Sequence, residues 1–220
     1  MKPILFNTEM VKAILDGQKN ETRRVVKPQP LDKPMVFHDS VEGMNIVCHV
    51  AGRDVLYNFL PPYQSGDILY VRETWNKIKL ESESEWHYEY RASCENPSYF
   101  SNGFMSEWRP SIHMPKAAAR LFLRVADIRV ERLQEMPHDA PKKEGIHYCE
   151  CPDGFTWNSH TTMRDCYINQ MGAMKALWNS TVKKSDLETY GWDANPWVGV
   201  IEFERISREE ASGLQQKDKQ

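Results

Sequence analysis

Residues 16–24 read DGQKNETRR, placing Lys19, Thr22, Arg23 and Arg24 within one short stretch. A threonine hydroxyl attacks a carbonyl only after a base has taken its proton. A lysine serves as that base only if its pKa falls well below about 10.4. Burial and neighbouring cations both push a lysine in that direction, and Arg23 and Arg24 supply the cations. If the stretch is solvated, the same residues are a charged surface run, Gly17 merely ends a helix and Thr22 is an ordinary turn residue. Arg24 has two uses, phosphate contact and structural ion pairing, because its planar fork suits both.

Other residues carry chemistry outside this stretch. Arg72 and Glu73 end the apolar run ILYV, where a barrel mouth sets polar groups beside a ligand; alternatively they pair and tie the strand to the 16–24 loop. Trp75 follows and offers a stacking face for a base, although burial is the commoner fate of a tryptophan. His147, Cys149, Cys151, His160 and Cys166 are the ligand types zinc takes, but C-x-C lacks the usual knuckle spacing, which favours reduced thiols. No cofactor is expected. Trp86, Tyr88, Tyr90, Tyr99, Phe100 and Trp108 interleave with polar residues and suit a local minicore or a cap over a cleft.

The elements that must position these groups follow from pattern. Residues 1–6 suit a short strand, and Thr8 an N-cap for a helix over 9–16 with Val11, Ile14 and Leu15 on one face and Gly17 as its stop. Three prolines between residues 25 and 34 demand an extended connector, and residues 35–60 suggest hairpin strands. Residues 68–74 read as a buried strand after a Ser65-Gly66-Asp67 turn. Residues 119–131 read as a second strand whose alternation shifts phase near Asp127, implying a bulge or bend. The run LQEMPHDAPKKEGI suggests a short Pro-initiated helix closed by Gly145. Ile168, Met171, Met174, Lys175 and Trp178 fall on helical spacing, with Met171, Met174 and Trp178 as core, and residues 197–206 read as a last strand. The polar 208–220 segment reads as a frayed tail.

Composition agrees with a soluble domain: 40% of residues are hydrophobic and 27% charged. A net charge of −3 and a pI near 6.2 argue against a duplex-DNA binder driven by a basic surface, so nucleic-acid contact would need a local patch. No run of about 18 apolar residues exists, and the N-terminal apolar stretch is short for a signal peptide, so the expectation is a cytoplasmic protein with no membrane partner. Few helices and many short strands point to α+β architecture. The expected form is a small β-barrel decorated with short helices, one domain over 1–207 with insertions at about 76–112 and 146–195.

Gly17-x-Lys19-x-x-Thr22-x-Arg24, placed after a short N-terminal helix, resembles the signature of the ASCH family, whose members are PUA-like β-barrels related to RNA-binding modules. The usual pattern is G-x-K-x-x-E-x-R, with threonine here in place of glutamate. A branch that resembles bacterial N(4)-acetylcytidine amidohydrolase shares that threonine, and the resemblance implies a catalytic set of Lys19, Thr22 and a downstream glutamate, for which Glu144 is the match. GDILYVRETW, MPKAAARLFLRV and the A-x-x-x-E-G-I helix are similar to a subgroup of longer ASCH proteins from phages and prophages. Three functions follow as expectations. One is removal of an acyl group from a modified cytidine, with Gly17, Arg24, Arg72, Glu73 and Trp75 near the ligand and the glycine-turn amides holding the oxyanion. The others are non-catalytic binding of RNA or a modified base, and a phage accessory role. The expected partner in the first two is a nucleoside or RNA.

Overall fold

A computed structural model describes residues 1–30, 35–39, 43–50, 53–57, 63–79, 85–96, 98, 107–151, 154–158, 167 and 169–217; in 35–57, 149–158 and 215–217 the backbone alone is described. In chain order the elements are β1 (Lys2–Leu5), α1 (Thr8–Leu15), β2 (Glu21–Val25), β3 (Met35–Asp39), β4 (Gly43–Val50), β5 (Arg53–Tyr57), β6 (Ile68–Arg72), β7 (Trp75–Lys79) and β8 (Trp86–Tyr90). They continue as β9 (Phe122–Arg132), α2 (Ala140–Lys143), β10 (His147–Cys151), β11 (Gly154–Asn158), α3 (Gln170–Thr181), α4 (Leu187–Tyr190), β12 (Trp197–Ile206) and α5 (Arg208–Lys217). The protein is mixed α+β, with mostly antiparallel strands and short helices, as expected from the pattern. Among the described residues the strands do not close into a barrel. No described helix is long and apolar enough to cross a membrane.

The chain divides into two compact units. The first comprises Met1–Gly17, Ile68–Arg124 and Arg205–Gln220. Here β1 pairs in parallel with β6, Lys2 opposite Leu69, and β6 pairs antiparallel with β9, Ile68 opposite Arg124. Helix α1 starts one residue earlier than Thr8 would dictate as cap: Asn7 Oδ1 accepts from Met10 N at 2.8 Å, the commonest way to satisfy a first-turn donor. Met10, Val11, Ala13 and Ile14 form its buried face. The helix stops where the chain turns left-handed at Gly17, φ +70°, whose N–H donates to Ile14 O at 3.2 Å.

The core of this unit gathers Ile68, Trp75, Met114, Ala118, Ala119, Phe122 and Ala211, with Tyr88 and Tyr90 packed against it. The aromatic excursion therefore contributes to the core through the β7–β8 hairpin, although Trp86 remains 57% exposed; Tyr99 and Phe100 lie outside the described residues. The C-terminal segment is also not a frayed tail. Ser207 Oγ accepts from Glu210 N at 3.1 Å while Glu210 Oε2 accepts from Ser207 N at 2.8 Å. This reciprocal capping box starts α5 and delivers Ala211 to the core.

The second unit comprises Gln18–Asp67 and Val125–Glu204. Strand β12 lies between β9 and β2, and pairs antiparallel with β2 from Val198 opposite Val25 to Glu202 opposite Glu21. Its Val198, Val200, Ile201 and Phe203 are fully buried, which fixes the register of β2 beside it. Strands β3, β4 and β5 form the expected antiparallel hairpins. In β9, Val125 is buried, Ala126 and Asp127 are both exposed, and Ile128 is buried again, so the phase shift read at Asp127 is present. Helix α2 carries Pro141 in its first turn and ends at Gly145, φ +96°. In α3, Ala173, Met174, Leu177 and Trp178 are buried, whereas Met171 faces out and Ile168 lies outside the described residues.

Gly17 meets no atom within 4 Å of an added Cβ, so the cost of a side chain there is conformational alone. Gly17→Ala is expected to lower unfolding free energy by about 1 kcal/mol in urea titrations, and Gly17→Asn by less, because asparagine tolerates the left-handed region. Equal losses for the two variants would refute the backbone account.

Candidate functional site

The 16–24 stretch leaves Gly17 and enters β2 through Lys19 and Asn20. Two backbone contacts set its path: Asn20 N donates to Lys143 O at 3.0 Å, and Phe203 N donates to Asn20 O at 2.8 Å. Lys19 and Glu144 form an isolated backbone bridge, so α2 and the start of β2 are held side by side. The Pro141 start and Gly145 stop of α2 thereby decide where Glu144 stands.

Lys19 is 2% exposed. Its Nζ donates to Glu21 O at 2.8 Å, to Glu144 O at 3.2 Å and to Glu144 Oε2 in a short ion pair. The Glu21 carbonyl belongs to the peptide bond that leads into Thr22, so the ammonium sits against the backbone of the candidate nucleophile. Glu144 uses its other oxygen for Arg23, whose Nη1 donates to Oε1 at 3.1 Å. Arg23 also contacts Glu131 Oε1 at 2.8 Å through Nη2 and 3.0 Å through Nε, and lies 2.6 Å from Glu21 Oε1. That last contact is ionic, without an aligned hydrogen bond. Arg129 closes the array, Nη2 to Glu21 Oε2 at 2.8 Å and Nε to Glu131 Oε2 at 3.1 Å.

The result is a chain of alternating charge, Lys19–Glu144–Arg23–Glu131–Arg129–Glu21, buried at Lys19, Glu144, Arg23 and Glu21 and partly exposed at Glu131 and Arg129. Burial pushes the Lys19 ammonium below its ordinary pKa; Glu144 opposes that shift, and Arg24 and Arg23 reinforce it. Burial also works to lower Arg23, but Glu144, Glu21 and Glu131 together overcome it and hold its pKa raised. For half-buried Arg24 burial prevails over Glu144 and Tyr63, and its pKa is lowered. Two neighbouring arginines on one strand thus face different surroundings. Alternation along β2 separates Arg23 from Arg24 and puts Arg24 on the face of Thr22. Thr22 is 1% exposed and stands opposite Ile201, while Arg24 stands opposite Gly199, which adds no side chain to crowd it.

Beside β2 lies a cleft of about 270 Å³, lined by Arg24 and Lys27 and by Trp178, Lys183, Asp186 and Tyr190 from the α3–α4 region. Lys27 Nζ sits 4.3 Å from the centre of the Tyr190 ring, and Trp178 Nε1 donates to Tyr190 O at 2.8 Å. Arg23 also reaches the cleft wall, but its charge is engaged by three carboxylates.

The remaining expected ligand residues have partners of their own. Gly17 is a helix terminator, and its N–H closes α1, which removes that amide from the oxyanion role. Arg72 donates from Nε to Met114 O at 3.0 Å and from Nη2 to Ile112 O, and Glu73 receives a two-pronged contact from Arg120 at 2.8 and 2.9 Å. Arg72 and Glu73 thus anchor the 112–120 segment within the first unit. Trp75 is 5% exposed, with its ring centre 5.8 Å from that of Tyr88. Of the cysteine and histidine cluster, His147 Nδ1 lies 3.4 Å from Gly145 O, the Cys149 and Cys151 side chains and all of His160 and Cys166 lie outside the described residues. Among the described residues no group of three or more metal-ligating side chains forms.

Glu21, Arg129 and Glu131 belong to the charge chain without having been singled out in the sequence. Their signal was the spacing Arg129-x-Glu131 after the phase shift at Asp127, which puts both side chains on one face of β9. No protein-family model, curated protein or solved structure matches the chain.

Removing one member of the charge chain strands its partners in a medium that solvates them poorly. Arg23→Met should cost about 3–5 kcal/mol in urea unfolding, because three carboxylates lose a cation. Glu131→Gln should cost less, since Glu131 is 14% exposed and its amide can still accept from Arg23. A near-neutral Arg23→Met would show that the array contributes nothing to stability.

Proposed function

We propose that the protein is an ASCH-type, PUA-like amidohydrolase that removes an acyl group from the exocyclic amine of a modified cytidine. The observation that carries this reading is the buried contact of Lys19 Nζ with Glu144 Oε2 and with the Glu21 carbonyl beside Thr22. It joins the motif lysine to the one downstream glutamate that the resemblance implies. Gly17, Lys19 and Thr22 fall on a helix stop, a bridge and a strand, so the motif spacing has a structural reason.

In this mechanism neutral Lys19 takes the Thr22 proton as Oγ attacks the acyl carbonyl. The proton passes through Glu144 to the exocyclic nitrogen as the carbon–nitrogen bond breaks, giving an acyl-threonine and free cytidine. Water then attacks the ester, releasing the carboxylic acid and restoring the hydroxyl. The lowered Lys19 pKa raises the fraction of neutral amine, and Glu144 keeps the nitrogen aimed along the strand. Thr22 shares its β2 face with Arg24, which lines the cleft.

The cationic and aromatic lining of the cleft favours a second reading, in which the same region binds a base or RNA without turnover.

Purified protein incubated with N(4)-acetylcytidine should release cytidine, followed by chromatography. Thr22→Ala should abolish release, and Lys19→Met should slow it about 10²–10⁴-fold, as loss of a general base does. The rate should rise with pH as Lys19 deprotonates, with a midpoint below the ordinary lysine value of 10.5. Absence of turnover by the unaltered protein would reject the hydrolase and leave the binder.

A further inference from the structure

The proposed chemistry uses Lys19, Thr22 and Glu144 and leaves Arg23, Glu131, Arg129 and Glu21 without a part in it. All four lie in the second unit with Lys19 and Glu144, and the six together are three cations and three carboxylates. The two oxygens of Glu144 are divided between cations: Oε2 meets Lys19 Nζ, and Oε1 accepts from Arg23 Nη1 at 3.1 Å. If Lys19 gives up its proton, Arg23 remains as the cation hydrogen-bonded to this buried carboxylate. Without Arg23, the same step would strand a negative charge in the interior, and the lysine would keep its proton. Arg23 is itself fixed from behind. Glu131 Oε1 accepts from its Nε at 3.0 Å and its Nη2 at 2.8 Å, Glu21 Oε1 stands 2.6 Å from Nη2, and Arg129 takes the second oxygen of each carboxylate. The charged groups acting on Lys19 are Glu144 from the end of α2 and Arg23 and Arg24 from β2; burial lowers its pKa, Glu144 opposes, and both arginines add to burial. At the rim, Arg129 also faces Glu202 at 3.7 Å and Asp127 at 4.0 Å, and Lys143 stands 4.0 Å from Glu202 and 3.4 Å from Asp139.

We infer that Arg23 is a positioning residue for the proposed base: it holds Oε1 of Glu144 and balances that carboxylate, so that Lys19 can stand against the Thr22 backbone as a free amine. Glu131, Glu21 and Arg129 keep Arg23 in that place. The inference rests on the hydrolase reading above and deepens it: the base is governed by the charge balance of the whole array. A negative charge added to the array keeps the proton on Lys19, and a positive one releases it. Arg23 acts through Glu144 and touches no reacting atom, which explains why it stands on the face of β2 opposite Thr22.

Direct titration of Lys19 in the full chain tests this without turnover. Lysine labelled at the ε carbon and ζ nitrogen is followed by nuclear magnetic resonance against pH, and the Lys19 signal is the one lost in Lys19→Met. Arg129→Gln removes a cation at a side chain 30% exposed, and Glu131→Gln removes a carboxylate at one 14% exposed, so both spare the buried Arg23; folding is checked by circular dichroism. Arg129→Gln should raise the Lys19 midpoint and Glu131→Gln should lower it, each by about one pH unit, while Arg129→Lys, which keeps the charge, should leave it near that of the unaltered protein. Arg23→Gln should raise the midpoint further than Arg129→Gln does, and the two outer variants decide the matter even if Arg23→Gln does not fold. The pH profile of cytidine release from N(4)-acetylcytidine should follow the same shifts. Opposite shifts in a protein that releases no cytidine would keep the assignment of Arg23 and reject the hydrolase reading. A midpoint that neither outer variant moves, one that both move in the same direction, or a rate profile that ignores the shifts would overturn the inference.

Discussion

Everything around β2 depends on keeping Lys19 out of water while its ammonium still has partners. A lysine buried alone would lose its proton or exclude itself from the interior. Lys19 avoids both outcomes through one carboxylate and two carbonyls, and the carboxylate is supplied by a residue 125 positions away. Glu144 in turn needs Arg23, which needs Glu131 and Glu21, which need Arg129. Each charge is tolerated because the next is present, so the array behaves as a unit and not as six separate residues. Buried ion pairs of this kind add little net stability over apolar packing, but breaking one is costly. Their persistence is better explained by what they hold in place.

What they hold is the difference between Arg23 and Arg24. One is saturated by three carboxylates and the other sits half-buried beside a cleft. The pleat of β2 creates that division, and the buried valines and Ile201 of β12 fix the register that keeps it. A slip of one residue would exchange the two arginines, exposing the saturated position and burying Thr22 among carboxylates. Positioning of the candidate nucleophile thus reduces to packing of an apolar strand that carries no chemistry.

Much of this was legible in the sequence, for reasons that differ by element. Strand β12 was readable to its ends because its apolar run is bounded by a turn and a polar segment, and α2 because proline and glycine bracket it. The phase shift in β9 was visible because two residues in succession broke the alternation. Helix α5 was hidden: its composition is polar, its capping box does not precede an apolar stripe, and its hold on the core is Ala211 with Leu214 packed beside it. The charge chain was half legible. Local spacing pointed to Lys19 and Thr22, but nothing in a one-dimensional pattern states that Arg129 and Glu131 face Glu21 and Arg23, since that pairing exists only when β9, β12 and β2 assemble. Arg72 and Glu73 show the reverse: adjacent and opposite in charge, they turn to different partners, Arg72 at the end of β6 to the carbonyls of Ile112 and Met114 and Glu73 just beyond it to Arg120.

The Lys19–Glu144 bridge also has a kinetic meaning. It closes a very long loop, and the entropy of closing such a loop must be met before any contact inside the bridge can form. The charged cluster therefore comes together only with the non-local part of folding, and before that moment its members are ordinary hydrated side chains. A lysine with an ordinary ammonium on the nascent chain becomes a perturbed one by the act of assembly. The reactivity of residue 19 is thus an internal reporter of whether the second unit has finished folding.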